Sequence, residues 1–353
     1  MDRRTFLRAT VAAGAATILA ACTREQAAEV RDVTAAPLEP ASTPEPISLP
    51  TPSPTPAPAR SRVVIIRTED RAAGTREALE RIRPDLSGKR VLIKPNFNSA
   101  DPPPGSTAPD IIAETVRFAR DEGAGDLVIG DRSGMGLTRS VMDSLGIPTL
   151  ADNLQLALVD FSQLPAESWI LMQPDQGHWP DGFAVAKPVL EADAVVNLCC
   201  LKTHRYGGHF TMSLKNSVGM VADMVPGLPT RFMQQLHASP DQRKMIAEIN
   251  LAYDPEAIVM DGVDAFVQGG PATGTRVHPG LMIAGTDRVA VDAVGVAVLR
   301  MYGTTPEVSR GSIFDLEQIR RAVQLGLGVA DPDRIDLEGD EDLIERIREQ
   351  LLA

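Results

Sequence analysis

Short apolar runs recur along this chain, and stretches of helix length separate them. Early examples are "RVVIIR" at 62–67, "RVLIKPN" at 90–96 and "DLVIG" at 126–130. A strand buried on both faces forms such a continuous run, because helices cover the sheet above and below it. Similar runs follow at 156–161, 193–201, 257–265 and 280–285. The pattern therefore predicts an α/β fold with a mostly parallel sheet, or sheets, and helices on both faces.

The segments between the apolar runs have the composition of helices. Asp287 precedes the most apolar of them and is placed to cap its first turn. Helices are predicted near 72–86, 108–123, 138–145, 212–220, 241–251, 287–303, 314–325 and 341–351. The globular part, 62–353, has the length of one large domain or of two interlocked Rossmann-like lobes, about 62–190 and 191–353.

Residues 1–22 resemble an export signal and are not expected to join the fold. Arg3 and Arg4 precede Thr-Phe-Leu, which is typical of the twin-arginine route. The apolar part at 11–21 is too short to span a bilayer. "LAAC" at 19–22 resembles a bacterial lipobox, in which Cys22 is lipidated. We expect an exported protein, lipid-anchored to the membrane, with its domain on the extracytoplasmic side.

Residues 23–61 are predicted to form a disordered, Pro-rich tether. Between positions 37 and 58, Pro alternates with Ser, Thr, Ala and Glu. Such a segment lacks the apolar residues of a core and favours the extended polyproline conformation. Its length, roughly 70 Å when extended, would hold the domain clear of a membrane surface.

Charge and cysteine content exclude two classes of protein. The chain has a net charge of −12 and no basic run, whereas nucleic-acid binding requires a basic face. No nucleic-acid partner is therefore expected. Apart from Cys22, the only cysteines are the adjacent Cys199 and Cys200, which cannot form a disulfide framework. Neighbours on a strand point to opposite faces, and their spacing to His204 matches no usual zinc motif. We expect both cysteines in the core.

Polar residues follow several of the predicted strands at the point where each strand ends. Lys94, Asp131, Lys202 and Asp261 occupy such positions, and Asn96 and His204 lie two residues beyond two of them. In open parallel sheets, ligands bind at the carboxyl ends of the strands. The sequence therefore predicts a convergent polar site.

Three lysines suggest that the ligand is an anion. Lys94, Lys202 and Lys215 offer ammonium groups suited to phosphate or carboxylate. Between the last two, a Gly-rich turn leads into a predicted helix whose first N–H groups could help to hold the anion. The segment lacks the ending of a phosphate-binding loop and the G-x-G-x-x-G pattern, so no nucleotide fold is predicted.

These motifs together resemble one family. "VLIKPN", "LKTH", "SLKNSVG", "AEIN", "IVMDG" and "AGTDRVAVDAV" look like the domain-of-unknown-function family 362, over about 62–330. The resemblance marks as motif positions Lys94, Asn96, Lys202, Thr203, His204, Lys215, Asn216, His237, Asp261 and Asp292. Some members are described as iron–sulfur proteins because of an added ferredoxin-like segment. This chain has no C-x2-C-x2-C run, so no cluster is expected and its cofactor stays open.

Three functions are compatible with these residues. The first is an enzyme for an anionic small molecule, with Lys94, Asn96, Asp131, Lys202, Thr203, Lys215 and Asn216 in binding and His204, Asp261 and Asp292 in proton transfer. The second is a non-catalytic extracytoplasmic binding module that uses the same pocket. The third is a metal-assisted enzyme with His204 and His237 as ligands.

Overall fold

Strands from the whole length of the globular part form one large sheet. The structure, a computed structural model, describes residues 47–49 and 60–353. The strands of this part are β1 (Ile47–Leu49), β2 (Ser61–Arg67), β3 (Val91–Lys94), β4 (Leu127–Asp131), β5 (Ala157–Asp160), β6 (Trp169–Pro174), β7 (Phe183–Ala186), β8 (Ala194–His204), β9 (His209–Thr211), β10 (Ala257–Gly269), β11 (Gly274–Val277), β12 (Leu281–Gly285) and β13 (Ile335–Gly339).

Helices alternate with these strands. They are α1 (Arg71–Ile82), α2 (Pro109–Asp121), α3 (Thr138–Ser144), α4 (Ile147–Asn153), α5 (Lys187–Glu191), α6 (Ser213–Asn216), α7 (Phe232–Ala238), α8 (Gln242–Ile249), α9 (Arg288–Met301), α10 (Pro306–Ser309), α11 (Glu317–Gln324) and α12 (Glu341–Leu352). Asp287 caps α9 as predicted, because its side chain accepts hydrogen bonds from Val289 N and Ala290 N.

The large sheet is mostly parallel, as expected. Its strand order is β13-β2-β12-β10-β8-β3-β4-β5, and along this path only β12 runs antiparallel to its neighbours. Strands of the two proposed lobes share this one sheet, so a division into two lobes is not confirmed. Hydrophobic cores lie on both faces of the sheet, which explains why its central strands β8 and β10 are buried at nearly every position.

Two of the central strands extend past the sheet as hairpins. The strand β8 continues to His204 and turns back into β9, which pairs Lys202 with Thr211 and His204 with His209. The strand β10 pairs in the same way with β11. The turn at 205–208 leads through the short strand β9 to α6, so only eight residues separate the motifs "LKTH" and "SLKN".

A small second sheet involves part of the predicted tether. The strand β1 pairs in parallel with β6, and Leu49 is buried. These three residues therefore pack on the domain, whereas the sequence predicted disorder throughout 23–61. Ser61, at the end of the predicted tether, likewise belongs to β2. The export signal, the lipobox and the tether residues 23–46 and 50–59 lie outside the described residues. Within 47–49 and 60–353, no helix combines the length and the apolar character needed to cross a membrane.

Candidate functional site

A cleft of about 980 Å³ opens at the carboxyl ends of the parallel strands. It adjoins an inner pocket of about 40 Å³, which has room for a few water molecules or one small anionic group. The inner pocket is lined by Lys94, Asn96, Asn98, Asp131, Arg132, Gly134, Thr211, Lys215, Asn216, Val218 and Gly219. Five residues that the sequence predicted to bind the ligand therefore line the inner pocket: Lys94, Asn96, Asp131, Lys215 and Asn216. His204 and His237 line the adjoining cleft.

Lys94 and Asp131 form a buried ion pair at the end of β3 and β4. Lys94 Nζ lies 2.7 Å from Asp131 Oδ1 and also donates to Pro95 O at 2.6 Å. Asp131 accepts from the backbone N–H groups of Phe97 and Arg132, so its carboxylate is well satisfied. Burial lowers the pKa of Lys94, and the Asp131 carboxylate opposes that shift. The Asp131 carboxylate therefore neutralises the charge of Lys94, which is one of the cations of the pocket.

Gly219 allows the backbone to close over this ion pair. A Cβ atom at Gly219 would lie 2.1 Å from Asp131 Oδ1 and 2.9 Å from Lys94 Nζ, which leaves no room for a side chain. The last motif residue of "SLKNSVG" is therefore glycine because the backbone must approach two charged groups closely.

Lys202 lies beneath the pocket and does not line it. Its ammonium donates to Gly105 O and to Asn96 Oδ1, and its side chain is fully buried. Asn216 is also held by the protein, because its amide donates to Asn197 Oδ1 at 2.7 Å and its own Oδ1 accepts from Lys94. Lys202 therefore contributes positive charge to the pocket without direct access to a ligand.

Asp292 holds the helix that carries Lys215. Its carboxylate accepts from Ser213 N at 2.8 Å, from Leu214 N at 3.1 Å and from Ser213 Oγ. The sequence suggested that the first N–H groups of this helix could help to hold an anion. The N–H groups of Ser213 and Leu214 instead donate to Asp292. Burial raises the pKa of Asp292 to about 7, although these hydrogen bonds lower it.

Lys215 differs from the other lysines because it has no partner within the described residues. It is 8% exposed and lines both the inner pocket and the cleft. No carboxylate or carbonyl accepts a hydrogen bond from its ammonium. Burial, with the positive charges of Lys202 and Arg132, lowers the pKa of Lys215 to about 8. A buried cation without a partner is costly for the fold and is typical of a ligand-binding position.

His204 lies beside Lys215. A Cβ atom at Gly208 would lie 2.7 Å from Lys215 Cε and 3.0 Å from His204 Nδ1, so both side chains approach the same point within 3.0 Å. His204 is 6% exposed, and its Nδ1 has no hydrogen-bond partner. Burial and then Lys215 hold the pKa of His204 well below its usual value. The imidazole is therefore neutral near pH 7.

Arg132 is a cation of the site that the sequence reading missed. Its guanidinium lines both cavities and donates to Val221 O at 2.7 Å and to Ser133 O at 2.9 Å. Burial lowers the pKa of Arg132. The available signal was its place directly after Asp131, in the same strand-end loop.

Three predicted site residues lie elsewhere. Asp261 is fully buried, and its carboxylate pairs with Nε of Arg71, the first residue of α1, at 2.8 Å. Asp292 lies behind α6, and Thr203 Oγ1 donates to Phe266 O. None of the three lines the cleft or the inner pocket.

The cysteines and histidines provide no evident metal site. Cys199 and Cys200 are free and buried, and burial raises the pKa of both thiols. His237 Nδ1 lies 2.6 Å from Met233 O, and its ring faces the cleft with His204. In the part of the chain that the structure describes, no group of three or more His, Cys, Asp or Glu side chains could hold an ion. The metal hypothesis therefore has two histidines and no third ligand.

Comparison with known proteins agrees with the resemblance noted from the motifs. The model of the family described as "Domain of unknown function (DUF362)" matches residues 91–297, which include every cleft residue named above. The thylakoid-associated protein sll1697 of Synechocystis sp. is 28% identical over 223 residues. That alignment covers 62% of this chain and spans 65% of the length of the relative.

Proposed function

The chain belongs to the DUF362 family, a domain of unknown function, and on that premise we propose a function from the cleft itself. The protein binds an anionic small molecule in the inner pocket and acts on it as an enzyme. The observation that carries this proposal is Lys215, a buried ammonium without a partner that faces both cavities. An anion would supply the charge and the hydrogen-bond acceptors that Lys215 lacks.

The charge balance of the pocket supports an anion over a neutral ligand. Lys94 is neutralised by Asp131, but among residues 47–49 and 60–353 no carboxylate directly contacts the charged group of Lys202, Lys215 or Arg132. Like charges in a region of low dielectric repel strongly, and Lys202 and Arg132 both lower the pKa of Lys215. An oxyanion in the inner pocket would relieve that repulsion.

The outer cleft suggests that the ligand also has an apolar part. Met135, Leu137 and Tyr206 line the cleft and are 38%, 78% and 48% exposed. Exposed apolar side chains that cluster beside a polar pocket are typical of a binding surface. The anionic group would thus enter the inner pocket while an apolar body rests against these three residues.

His204 favours an enzyme over a binding module. An imidazole that lines the cleft beside Lys215 could accept a proton from the ligand. The sequence assigned proton transfer to Asp261 and Asp292 as well, but neither reaches the cleft, so His204 is the proposed proton acceptor. A non-catalytic binding module remains the second candidate, with the same pocket and without chemistry at His204.

We also propose that the protein is exported and lipid-anchored through Cys22. Support comes from Arg3 and Arg4, from "LAAC" at 19–22 and from the name of the relative, a thylakoid-associated protein. Labelling with a radioactive fatty acid in a host that processes lipoproteins tests this part. Label on the wild-type chain and its loss in Cys22→Ser are expected, and equal label on both chains would refute the anchor.

The binding proposal is tested by thermal unfolding with inorganic phosphate, sulfate or acetate. A ligand that binds only the folded chain raises Tm, because at free concentration L it stabilises that chain by RT ln(1 + L/Kd). Lys215→Gln and Arg132→Gln should each weaken this effect at least about tenfold, because each removes a charge-assisted contact. Lys244→Gln is the control, since Lys244 pairs with Asp241 at another surface. Equal anion effects in all four proteins would refute the proposal.

A further inference from the structure

We propose that the Lys215 amine is a nucleophile that forms an imine with the carbonyl group of an anionic aldehyde, ketone or 2-oxo acid. This inference rests on the proposed function, because the carbonyl compound is the anion of the cleft. Its basis is one arrangement: an amine without a partner within the described residues, a histidine that lines the same cleft beside it, and further cations around both.

The surroundings of Lys215 keep its amine available. The ammonium groups of Lys94 and Lys202 are held by Asp131, Pro95 O, Gly105 O and Asn96. Lys215 has no such acceptor within the described residues, and yet only 8% of it is exposed. A lysine that only stabilised the fold would gain from a carboxylate partner, whereas an amine that attacks a ligand must remain free of one.

Protonation favours the same chemistry. With a pKa of about 8, about a tenth of the Lys215 side chains carry a free amine at pH 7. Desolvation and neighbouring cations are the two means by which proteins activate lysine as a nucleophile. Lys202 and Arg132 supply the cations, and the buried floor of the cleft supplies the desolvation.

The reaction needs no oxidant or reductant. The amine nitrogen bonds to the carbonyl carbon, and the carbonyl π electrons move to oxygen, which takes up one proton from solvent, so that the product is a protonated imine. The His204 imidazole, which lines the cleft with Lys215, accepts a proton from the nitrogen. The protonated histidine then returns a proton to the hydroxyl group, which leaves as water as the C=N bond forms.

Reductive trapping tests the inference on the full wild-type chain. Glyoxylate is small enough for the inner pocket and carries a carboxylate beside an aldehyde. With sodium cyanoborohydride, an imine at Lys215 becomes a stable carboxymethyl lysine that peptide mass mapping locates. We expect Lys215 to be modified well before Lys244, whose side chain is 30% exposed. Modification of Lys244 and other lysines with Lys215 intact would overturn the inference.

Two variants and one competitor complete the test. Lys215→Arg should remove the fast modification, and Lys244→Arg should leave it unchanged. His204→Gln should slow it about 10²-fold, the lower range for a lost acid–base group. Mapping on the wild-type chain decides the question even where a variant does not fold.

Inorganic phosphate separates this inference from the proposed function. Protection of Lys215 by phosphate supports both. Rapid modification of Lys215 without protection supports the imine and contradicts the anion pocket. A phosphate effect on Tm that depends on Lys215, without any modification of Lys215, contradicts the imine alone.

Discussion

Lys94 Nζ lies 2.7 Å from Asp131 Oδ1, and both side chains are at most 3% exposed. Removing one partner of such a pair leaves the other charge buried and unpaired. Asp131→Asn should therefore lower the free energy of unfolding by about 3–5 kcal/mol, measured in urea at pH 7.

The exposed pair of Arg139 and Asp143 provides the control for this prediction. Both side chains are more than half exposed, so Asp143→Asn should cost less than about 1 kcal/mol. If both variants lose the same free energy of unfolding, burial does not determine how much the pair of Lys94 and Asp131 stabilises the fold.

Lys215 should destabilise the folded protein. Its pKa falls to about 8 on folding from about 10.4 in the unfolded chain. Lys215→Met should therefore raise the free energy of unfolding at pH 7 by about 1–3 kcal/mol. Between pH 8 and pH 10 the unfolded wild-type chain binds more protons, so wild-type stability rises and the advantage of the variant shrinks. A variant less stable than wild type at pH 7 would contradict the assignment of an unpartnered ammonium.

Asp292 should show the opposite dependence on pH. Its folded pKa of about 7 exceeds the unfolded value of about 3.9, so the folded chain binds more protons between these values. Wild-type stability relative to Asp292→Asn should fall as the pH rises from about 4 to about 7, and then level off. Urea unfolding of both proteins across pH 4–8 measures it, and a flat difference would contradict the raised pKa.

The sequence could predict the site residues that lie at strand ends, but it could not predict the buried contacts that involve Asp261 and Asp292. Lys94, Asp131 and His204 lie together because the carboxyl ends of parallel strands share one edge, and strand ends are visible in the sequence. The pairing of Asp261 with Arg71 joins positions 190 residues apart and depends on how α1 packs. The contact of Asp292 with Ser213 likewise spans 79 residues. Local patterns carry no signal for either contact.

Strand direction was equally beyond the sequence. The apolar run of β12 resembles those of its parallel neighbours, yet it lies antiparallel between β10 and β2. An apolar run predicts burial, whereas the direction of a strand follows from the connections around it. The turn from β10 through β11 into β12 is short and lacks a crossover helix, which permits an antiparallel neighbour.

Cys199 and Cys200 should behave as core residues. Both are at most 1% exposed, and burial raises the pKa of Cys200 to about 11. In the folded protein at pH 8 neither should react with iodoacetamide, and both should react in denaturing urea. Ser309→Cys introduces an exposed thiol that should react at once and serves as the positive control. Rapid alkylation of either native cysteine would place it outside the core.

The central claim is that an anion binds beside Lys215 and Arg132. Crystals of the protein soaked in selenate, with diffraction recorded at the selenium edge, locate the anion directly. The account predicts an anomalous peak in the inner pocket within hydrogen-bonding distance of Lys215 Nζ. Peaks confined to the outer surface, for example near Lys244 and Arg320, with no peak in the inner pocket would contradict it.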